Sequence, residues 1–434
     1  MSTIAAIATG PAAGGIGILR LSGPDALSAA RRVAPQLPAS PTPRHAYFTR
    51  FVADDGATLD EGLALYFAAP KSFTGEDVVE LHAHGAPRLL SLLLERLLRA
   101  DGVRLATPGE FTRRALLNGR MDLSRAEAVA DLISAESEAQ VRAAASQLTG
   151  ELSTRLARVH DPLLALHADL EGSLDFPEEA EGADVDVLPR LEASLREARA
   201  LLADAKRGAL IRRGARVVLY GPVNAGKSTL FNALVGASRA LVDAEPGTTR
   251  DTLEARVELA GLAVTLVDTA GLREGAGRIE ALGIERTREA LQGADVAVLV
   301  LPPLASEAER DAWRRETAER VEVSGKADLT PHPAGEGVFV SGLTGEGLPA
   351  LRALLAARLG AGAAAIVSTS ERHLAALTAL EAALANARAA LDVATLEVVA
   401  GEVGLALHAL AELTGEDAST ALLDAVFARF CIGK

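Results

Sequence analysis

Apolar positions follow two different spacings in the first 118 residues of the chain, and together these indicate an α+β unit. Short apolar runs and alternation, which are typical of strands, occur near the N-terminus and again after residue 76. Leucines at helical spacing follow soon after the alternating stretch. The predicted elements are strands at 3–8, 16–21 and 77–82, with a Gly14-Gly15 turn between the first two, and a helix at 87–99.

From residue 122 onward the apolar residues recur every three or four positions, which predicts helices. Leu123 and Ala126 share one helical face, and the pattern continues with breaks to about residue 206. One break, at 175–186, is acidic and contains a proline, so we expect an exposed loop there.

Residues 211 to about 358 alternate strand and helix patterns, as doubly wound parallel sheets do. Near residue 369 the pattern becomes helical again and stays so to the end. We therefore expect a sheet domain inserted between two helical stretches, which pack as one bundle because each then buries its apolar face. The predicted fold class is multidomain α+β and α/β, with an N-terminal α+β domain at 1–118, a helical domain at 119–210 and 361–434, and an α/β domain with a mostly parallel sheet at 211–360.

The composition narrows the class of protein. Aromatic residues make up 3% of the chain, so its cores depend on Ala, Leu and Val, which favours helices. A formal net charge of −14 argues against a protein that coats nucleic acid non-specifically. The single cysteine, Cys431, excludes an internal disulfide. Since the chain also lacks a signal-peptide pattern and any run of about 18 apolar residues, we expect a cytoplasmic protein with no membrane span.

The chemistry centres on Gly-Pro-Val-Asn-Ala-Gly-Lys-Ser at 221–228, which fits the phosphate-loop pattern without a mismatch. An apolar strand pattern at 216–220 precedes it and a helix pattern at 229–235 follows it. Backbone N–H groups and the helix dipole would therefore converge on the phosphates of a nucleotide. Lys227 would reach the β- and γ-phosphates, and the Ser228 hydroxyl would bind Mg²⁺.

Two later segments match the switches of a GTPase in their order and spacing. In Glu-Pro-Gly-Thr-Thr-Arg-Asp at 245–251, Thr249 is the expected second protein ligand of Mg²⁺. Asp-Thr-Ala-Gly at 268–271 follows an apolar strand pattern at 263–267. Asp268 would hold Mg²⁺ through water, and the Gly271 N–H would contact the γ-phosphate. The chain is therefore predicted to be a GTPase.

The residue that positions the attacking water is not the usual glutamine, because Leu272 occupies that place. Glu280, a carboxylate just downstream, is the candidate replacement. Arg250 and Arg273 could act as arginine fingers, but switch arginines are commonly just solvated. Asn224 offers a side-chain oxygen beside the β–γ bridge, where a bound monovalent cation would supply the missing positive charge.

Guanine recognition is predicted from Gly-Lys-Ala-Asp at 325–328, which stands where GTPases carry Asn-Lys-x-Asp. Asp328 would accept both guanine N–H donors, and Lys326 would stack along the base, which favours GTP over ATP. Gly325 supplies no side chain, so we expect binding weaker by about 1–3 kcal/mol than an intact motif gives. The loop at 341–347 is similar to the one that backs the base in GTPases.

These motifs, with others, resemble the tRNA-modification GTPase family called MnmE or TrmE over essentially the whole chain. The specific ones are Ser-Phe-Thr-Gly-Glu-Asp at 72–77 and the terminal Cys-Ile-Gly-Lys at 431–434. The other matching segments are 14–20, 78–82, 224–228, 247–251 and 268–274. The resemblance implies a folate-binding and dimerising N-terminal domain, a helical bundle and an inserted Ras-like G domain.

The resemblance also implies roles for single residues. Glu280 matches the catalytic glutamate, and Cys431 matches a cysteine that is a candidate participant in the modification. The implied folate contacts are Arg20, Glu80, Lys434 and Arg120, which replaces a lysine. The implied K⁺ ligands are Asn224, Asp243, Glu245 and Thr248, and the implied Mg²⁺ ligands are Ser228 and Thr249. With the motifs, the predicted nucleotide contacts are Asn224, Ala225, Gly226, Lys227, Ser228, Thr229, Asp243, Ala244, Glu245, Pro246, Gly247, Thr248, Thr249, Asp268, Thr269, Ala270, Gly271, Lys326 and Asp328, and the predicted catalytic residues are Glu280 and Lys227.

The implied activity is K⁺-stimulated GTP hydrolysis driven by dimerisation of the G domains. Proteins of this family are homodimers that join a flavin-dependent partner of the MnmG or GidA type in a heterotetramer. Together they place a carboxymethylaminomethyl-type group on C5 of the wobble uridine of certain tRNAs, with a one-carbon unit from 5-formyl- or methylene-tetrahydrofolate. Two alternatives stay open: a regulatory switch with little chemistry of its own, and a ribosome-assembly GTPase. The second usually carries a basic RNA-binding module, and this acidic chain has no obvious one.

Overall fold

The computed structural model describes residues 2–175, 186–240, 253–269, 287–329, 337–360, 369–415, 419–428 and 430–433. Contacts divide the chain into two units, one of Met1–Ala130 with His408–Lys434 and the other of Asp131–Leu407. The C-terminal segment thus belongs to the same unit as the N-terminal sheet. The predicted domain limits at 118, 210 and 360 stay predictions.

The elements of the described residues have the following bounds. The strands are β1 (Thr3–Ile7), β2 (Gly14–Ser22), β3 (Ala46–Val52), β4 (Thr58–Phe67), β5 (Val78–Gly85), β6 (Val103–Leu105), β7 (Ala215–Tyr220), β8 (Arg239–Ala240), β9 (Leu253–Leu259), β10 (Leu262–Asp268), β11 (Val296–Leu301), β12 (Arg320–Ser324) and β13 (Val338–Phe339). The α-helices include α1 (Ala26–Val33), α2 (Pro87–Leu98), α3 (Glu110–Leu117), α4 (Leu123–Ile133), α5 (Glu138–Leu148), α6 (Glu151–Asp175), α7 (Val187–Arg213), α8 (Lys227–Gly236), α9 (Glu307–Arg314), α10 (Leu348–Arg358), α11 (Glu371–Ala390), α12 (Leu396–Thr414) and α13 (Thr420–Phe427). Within the described parts of the chain, none of these helices combines the length and hydropathy needed to cross a membrane.

The sheet of the first unit has the order β3-β4-β5-β2-β1-β6. Every neighbouring pair is antiparallel except β1 and β6. Leu19, Leu21 and Leu81 of its strands pack with Val33 of α1 and Leu93 of α2, and all five are fully buried. This arrangement of helices on a largely antiparallel sheet confirms the predicted α+β unit.

The predicted turn at Gly14-Gly15 is wrong. Both glycines belong to β2, which has an irregular register between Gly14 and Gly17, and the connection from β1 runs through residues 8–13. Gly14 pairs with Gly85 of β5, and a Cβ on Gly85 would stand 2.6 Å from the Gly14 carbonyl oxygen. Glycine serves here for the close approach of two backbones, which the local sequence does not distinguish from a turn.

The C-terminal helix α13 packs in the first unit against α3. Phe427 and Phe430 form a small buried cluster with Ala126, and their ring centroids are 5.2 Å apart. The N–H of Gly109, at the start of α3, donates to the carbonyl of Cys431 at 3.4 Å. The segment that ends the described chain is therefore held against elements of the N-terminal region.

The sheet of the second unit has the order β13-β12-β11-β7-β10-β9-β8. The strands from β13 to β10 run parallel, and β9 and β8 are added antiparallel. Val217 and Leu219 of β7 belong to a core shared with α8 and α10, whereas Tyr220 belongs to a second cluster with Leu299 and Trp313 of α9. Cores with helices on both sides of a mostly parallel sheet confirm the predicted doubly wound fold.

The long helices α6, α7 and α11 pack side by side in the second unit. Arg199 of α7 donates from Nε to Glu381 of α11 at 2.8 Å. Because α7 precedes the sheet in sequence and α11 follows it, the prediction that the two helical stretches join in one bundle is confirmed. Helix α7 ends at Arg213 rather than near residue 206, because Ile211 is buried and extends the apolar face by about two turns.

Candidate functional site

The phosphate loop joins the carboxyl end of β7 to the start of α8. Gly226 caps α8 with a φ of 97°, and Asn224 has a φ of 61°, so the loop turns through left-handed backbone conformations. The first N–H groups of a helix have no acceptor within the helix itself. Here they open onto the loop, which makes this end of α8 an anion site suited to phosphate.

Lys227 lies inside this loop. Its Nζ donates to the carbonyl oxygens of Gly221 at 3.1 Å and Pro222 at 2.7 Å, and the residue is only 4% exposed. Because a buried ammonium group must be compensated by acceptors, this position favours ligands with negatively charged oxygens. The geometry fits the predicted role of Lys227 in binding phosphates.

Asp268 and Thr269 lie at the same edge of the sheet as the phosphate loop. Strand β10 runs parallel to β7, with Asp268 opposite Leu219. The Thr269 hydroxyl donates to the Leu219 carbonyl at 3.0 Å, and Asp268 and Thr269 are both buried. Ser228, in the first turn of α8, is half-buried. A hydroxyl and a carboxylate at the carboxyl edge of a parallel sheet are suitable oxygen ligands for Mg²⁺.

The predicted base-reading residue Asp328 is exposed and is held by a buried serine. Ser341 donates from Oγ to Asp328 Oδ1 at 2.5 Å. Ser341 Oγ in turn accepts the N–H groups of Leu343 and Thr344, each at 3.2 Å. Ser341 therefore orients the carboxylate. Ser341 is not among the residues predicted for the site, although it opens the loop at 341–347 that is similar to a base-backing loop.

Lys326 lies beside the phosphate loop. It has a φ of 55°, and its Cγ would be 3.6 Å from a Cβ placed on Gly226. The phosphate loop, Asp268 and the predicted base-reading segment thus meet at one edge of the sheet. In sequence, the phosphate loop and Asp328 are about 100 residues apart.

Several predicted site residues lie outside the described residues. They are Asp243, Ala244, Glu245, Pro246, Gly247, Thr248 and Thr249 of the first switch, Ala270, Gly271 and Glu280 of the second, and Lys434 at the end of the chain. Their proposed roles in binding K⁺, Mg²⁺, nucleotide and folate, and in catalysis, stay predictions.

In the first unit, Arg20 and Glu80 form an ion pair across two strands. They stand opposite each other in β2 and β5, and Arg20 Nε donates to Glu80 Oε1 at 2.9 Å. His82 Nε2 lies 3.2 Å from the other Glu80 oxygen, and the guanidinium carbon of Arg20 lies 5.7 Å and 5.8 Å from the ring centroids of Phe73 and Phe111. The pair keeps 19% and 16% of its side-chain surface exposed, so a ligand can reach both groups.

Arg120 and the C-terminal segment lie in the same unit as this pair. Arg120 is exposed, and its Cγ would be 3.3 Å from a Cβ placed on Gly75. A Cβ on Gly433 would stand 2.3 Å from the carbonyl oxygen of Ile7, at the end of the strand next to β2. Cys431 is exposed. The structure thus gathers the described members of the predicted folate set, and Cys431, into one unit.

Two protein-family models match the chain. The model described as "GTP-binding protein TrmE N-terminus" matches residues 3–120, and the model described as "MnmE helical domain" matches residues 123–431. The tRNA modification GTPase MnmE of Myxococcus xanthus is 62% identical over 436 residues, which cover 100% of this chain and 99% of that protein. The chain belongs to the MnmE/TrmE family of GTPases. The tRNA modification GTPase MnmE of Laribacter hongkongensis is 44% identical over 448 residues, with 100% and 99% coverage. Among solved structures, the G domain of the T. maritima FeoB iron transporter aligns over 33% of this chain and 98% of that chain, at 26% identity and a TM-score of 0.25.

Membership of the MnmE/TrmE family confirms the predicted family and the prediction of a GTPase. It also directs attention to the motif at 72–77, whose Glu76 was not among the predicted site residues. Arg114 donates to Glu76 Oε2 and to Glu110 Oε1, both at 2.9 Å, and Ser22 donates to Glu76 at 2.7 Å. The motif is therefore tied into a buried ionic network of the first unit. Sequence spacing could not reveal it, because Arg114 is 38 residues from Glu76.

Glu110 gives this MnmE/TrmE-family network a measurable pH dependence. Burial raises the pKa of Glu110, but hydrogen bonds from Arg104, the Thr107 N–H and Arg114 outweigh it and lower the pKa from 4.5 to about 2. The stabilisation is thus fully present above the unfolded pKa and is lost as the pH falls through about 2. We expect Glu110→Gln to lower the free energy of unfolding at neutral pH by about 2–3 kcal/mol. Chemical unfolding at neutral and at acidic pH measures the difference.

The difference between the unsubstituted protein and Glu110→Gln should shrink as the pH falls from 4.5 to about 2. In this range Glu110 binds a proton in the unfolded state but is still ionised in the folded state, so its stabilising contribution is progressively lost. Glu95→Gln is the matched control, since Glu95 is an exposed glutamate of α2 whose contact with Arg88 is 3.5 Å long. A difference that stays constant over this pH range would contradict the assignment.

Proposed function

We propose that this GTPase hydrolyses GTP in the course of modifying C5 of the wobble uridine of certain tRNAs. The observation that carries the proposal is the convergence of Lys227, Asp268 and Asp328 at one sheet edge, in a chain that matches a tRNA modification GTPase over its full length. The proposal includes a cytoplasmic homodimer that joins a flavin-dependent MnmG/GidA-type partner in a heterotetramer. The group added is of the carboxymethylaminomethyl type.

The phosphates of GTP bind at the phosphate loop. Lys227 donates from Nζ to β- and γ-phosphate oxygens in exchange for its carbonyl acceptors, and the first N–H groups of α8 bind the same anion. Ser228 and Thr249 are the proposed protein ligands of Mg²⁺, which prefers oxygen, and the Asp268 carboxylate would hold the ion through water. When bound, Mg²⁺ neutralises charge on the phosphate oxygens.

Hydrolysis needs a positioned water and a positive charge near the bridging oxygen. Glu280 positions the water in this proposal, because Leu272 has no hydrogen-bonding group. Asn224, at an exposed left-handed turn of the loop, carries an amide oxygen that suits K⁺. When bound, K⁺ supplies the charge that an arginine finger supplies in other GTPases. The other proposed K⁺ ligands are Asp243, Glu245 and Thr248.

The folate site is proposed at the Arg20–Glu80 pair. Glu80 is held by hydrogen bonds yet partly exposed, so its carboxylate can accept from the N–H edge of a pterin. Arg120 and Lys434 pair with the carboxylates of the glutamate tail. When bound, 5-formyl- or methylene-tetrahydrofolate supplies the one-carbon unit, and Cys431 is exposed in the same unit as a candidate participant.

One variant tests the proposal at two levels. The parent should hydrolyse GTP at least about 10-fold faster in KCl than in NaCl, and Glu280→Ala should lose at least about 100-fold in kcat. A bacterial strain that lacks its own family member should regain modified wobble uridine when it carries the parent, but not when it carries Glu280→Ala. Phosphate release and mass spectrometry of tRNA nucleosides are the two readouts.

Glu289→Ala is the matched control, because Glu289 is an exposed glutamate shortly downstream. It should retain both activities. Equal rates in the two salts would contradict the K⁺ site, and full turnover by Glu280→Ala would contradict the role of Glu280. A parent that hydrolyses GTP but leaves the tRNA unmodified would favour a regulatory switch instead.

A further inference from the structure

The segment that carries Asp328 rests directly on the phosphate loop at Gly325. The Gly325 N–H donates to the Leu301 carbonyl at 2.8 Å, which holds the residue at the end of β11. A Cβ on Gly325 would stand 2.4 Å from the carbonyl oxygen of Ala225 and 3.1 Å from Val300 Cγ1. Real Cβ atoms essentially never approach another atom closer than 3.0 Å. The obstacle is backbone of the phosphate loop, which cannot rotate away as a side chain can.

A second glycine makes an equivalent contact on a different loop. A Cβ on Gly342 would stand 2.6 Å from the carbonyl carbon of Thr229 and 2.7 Å from the Leu230 nitrogen, in the first turns of α8. For both glycines, the atoms that would lie closer than 3.0 Å to a Cβ are backbone atoms. Both loops on the base side of the site therefore touch the phosphate-binding segment backbone to backbone.

Hydrogen bonds join these two loops into one body. The Val340 N–H donates to the Ser324 carbonyl at 2.8 Å, and the Ala327 N–H donates to the Val340 carbonyl at 3.1 Å. The Ser341 hydroxyl donates to Asp328 at 2.5 Å. The two hydrogen-bonded loops that position the Asp328 carboxylate therefore contact the phosphate-binding region at two places. Gly325 contacts the phosphate loop, and Gly342 contacts α8.

We propose that Gly325 and Gly342 are specificity-determining residues, because they set the distance between the Asp328 carboxylate and the phosphate loop. In the usual Asn-Lys-x-Asp motif an asparagine stands at the first position, whereas here direct backbone contact ties the base-reading segment to the phosphate loop. The inference rests on the proposed role of Asp328 in reading the base. It replaces the expectation that Gly325 only lacks the hydrogen-bonding side chain of an asparagine.

The two interpretations predict opposite results for the same substitution. If only the hydrogen-bonding side chain of the usual asparagine is missing, Gly325→Asn restores it and strengthens the binding of guanine nucleotide. If Gly325 is a spacer, any side chain pushes Asp328 away from the position where it meets a base whose phosphates are held in the loop. Inserting atoms into a packed contact of this kind typically weakens the state that needs it by a factor of about 5 to 150.

The experiment measures the affinities of GDP and ADP for the full chain by calorimetric titration. We expect Gly325→Ala, Gly325→Asn and Gly342→Ala each to weaken GDP binding at least about 10-fold. ADP binding should fall less, so that the ratio of GDP to ADP affinity falls at least about 5-fold. Gly236→Ala is the matched control, because a Cβ on this glycine of the same helix α8 meets nothing within 4 Å. It should leave both affinities unchanged.

Tighter GDP binding by Gly325→Asn would overturn the proposal, and so would unchanged binding by Gly325→Ala. Equal loss of GDP and ADP affinity would also overturn it, since that result indicates a structural role without effect on base selection. If Gly325→Ala fails to fold, as judged by circular dichroism, Gly342→Ala on the other loop carries the test. Failure of the proposed base-reading role of Asp328 gives a different result. In that case Asp328→Asn would bind GDP with the same affinity as the unsubstituted protein.

Discussion

Replacing Asp328 with asparagine is expected to move the base preference of this GTPase from guanine to xanthine. A carboxylate accepts from the ring N–H and the exocyclic amino group of guanine, whereas an amide offers one acceptor and one donor. Xanthine carries a carbonyl oxygen in place of the amino group, so it complements the amide. Because hydrogen bonds to a charged group contribute about 1.5–3 kcal/mol, we expect GDP affinity to fall about 10- to 100-fold. XDP affinity should rise correspondingly.

The structure makes this swap feasible without loss of orientation. Ser341 donates to Asp328 Oδ1, and it can donate equally to the side-chain oxygen of an asparagine. Titration of parent and variant with GDP and XDP measures the effect. Asp311→Asn is the control, since Asp311 is an exposed aspartate of α9. Parent-like preference for GDP in Asp328→Asn would show that another group reads the base.

Removal of the Lys227 side chain is expected to lower kcat/KM for GTP about 100- to 1,000-fold. The ammonium group is held within the loop by two carbonyl oxygens, so its charge is already placed before a nucleotide arrives. Removing one such preorganised donor from a reacting site typically has an effect of this size. Nucleotide affinity should also fall, because charged hydrogen bonds to phosphate are lost. Steady-state phosphate release and GDP titration measure the two effects.

Lys227→Arg tests whether a positive charge is sufficient for activity or whether its exact position also matters. The guanidinium is larger and planar, and the residue it would replace is 4% exposed, so we expect the arginine to restore little of the lost activity. Lys206→Ala, at an exposed position of α7, should behave as the parent does. A fully active Lys227→Ala protein would exclude the phosphate loop from the reaction.

The phosphate-binding half of the site was determined by the sequence alone. Apolar patterns predict a strand at 216–220, a helix at 229–235 and a strand at 263–267, and the structure has β7, α8 and β10 within two residues of these bounds. The phosphate loop that joins β7 to the start of α8 is formed by the eight consecutive residues 221–228. Its interactions are local, so the spacing of glycine, lysine and serine is sufficient to predict them.

The first unit shows where local patterns are not sufficient. Gly14 and Gly15 have the composition of a turn, yet they lie in β2, because pairing with β5 brings a second backbone close. The motif at 72–77 identifies the family, but its Glu76 is held by Arg114 from a helix that local patterns do not connect with it. In both cases the deciding partner comes from a distant part of the chain.

The same holds for the proposed base-reading half of the site, whose arrangement only the tertiary structure decided. Asp328 is oriented by Ser341, 13 residues away, and the backbone at Gly325 meets that of Ala225, 100 residues earlier. From the sequence, Gly325 indicates a lost side chain. In the folded sheet it occupies a place with no room for one. The physical reason is that the order of parallel strands brings these loops together, and a residue's local preference carries no information about which distant backbone will lie against it.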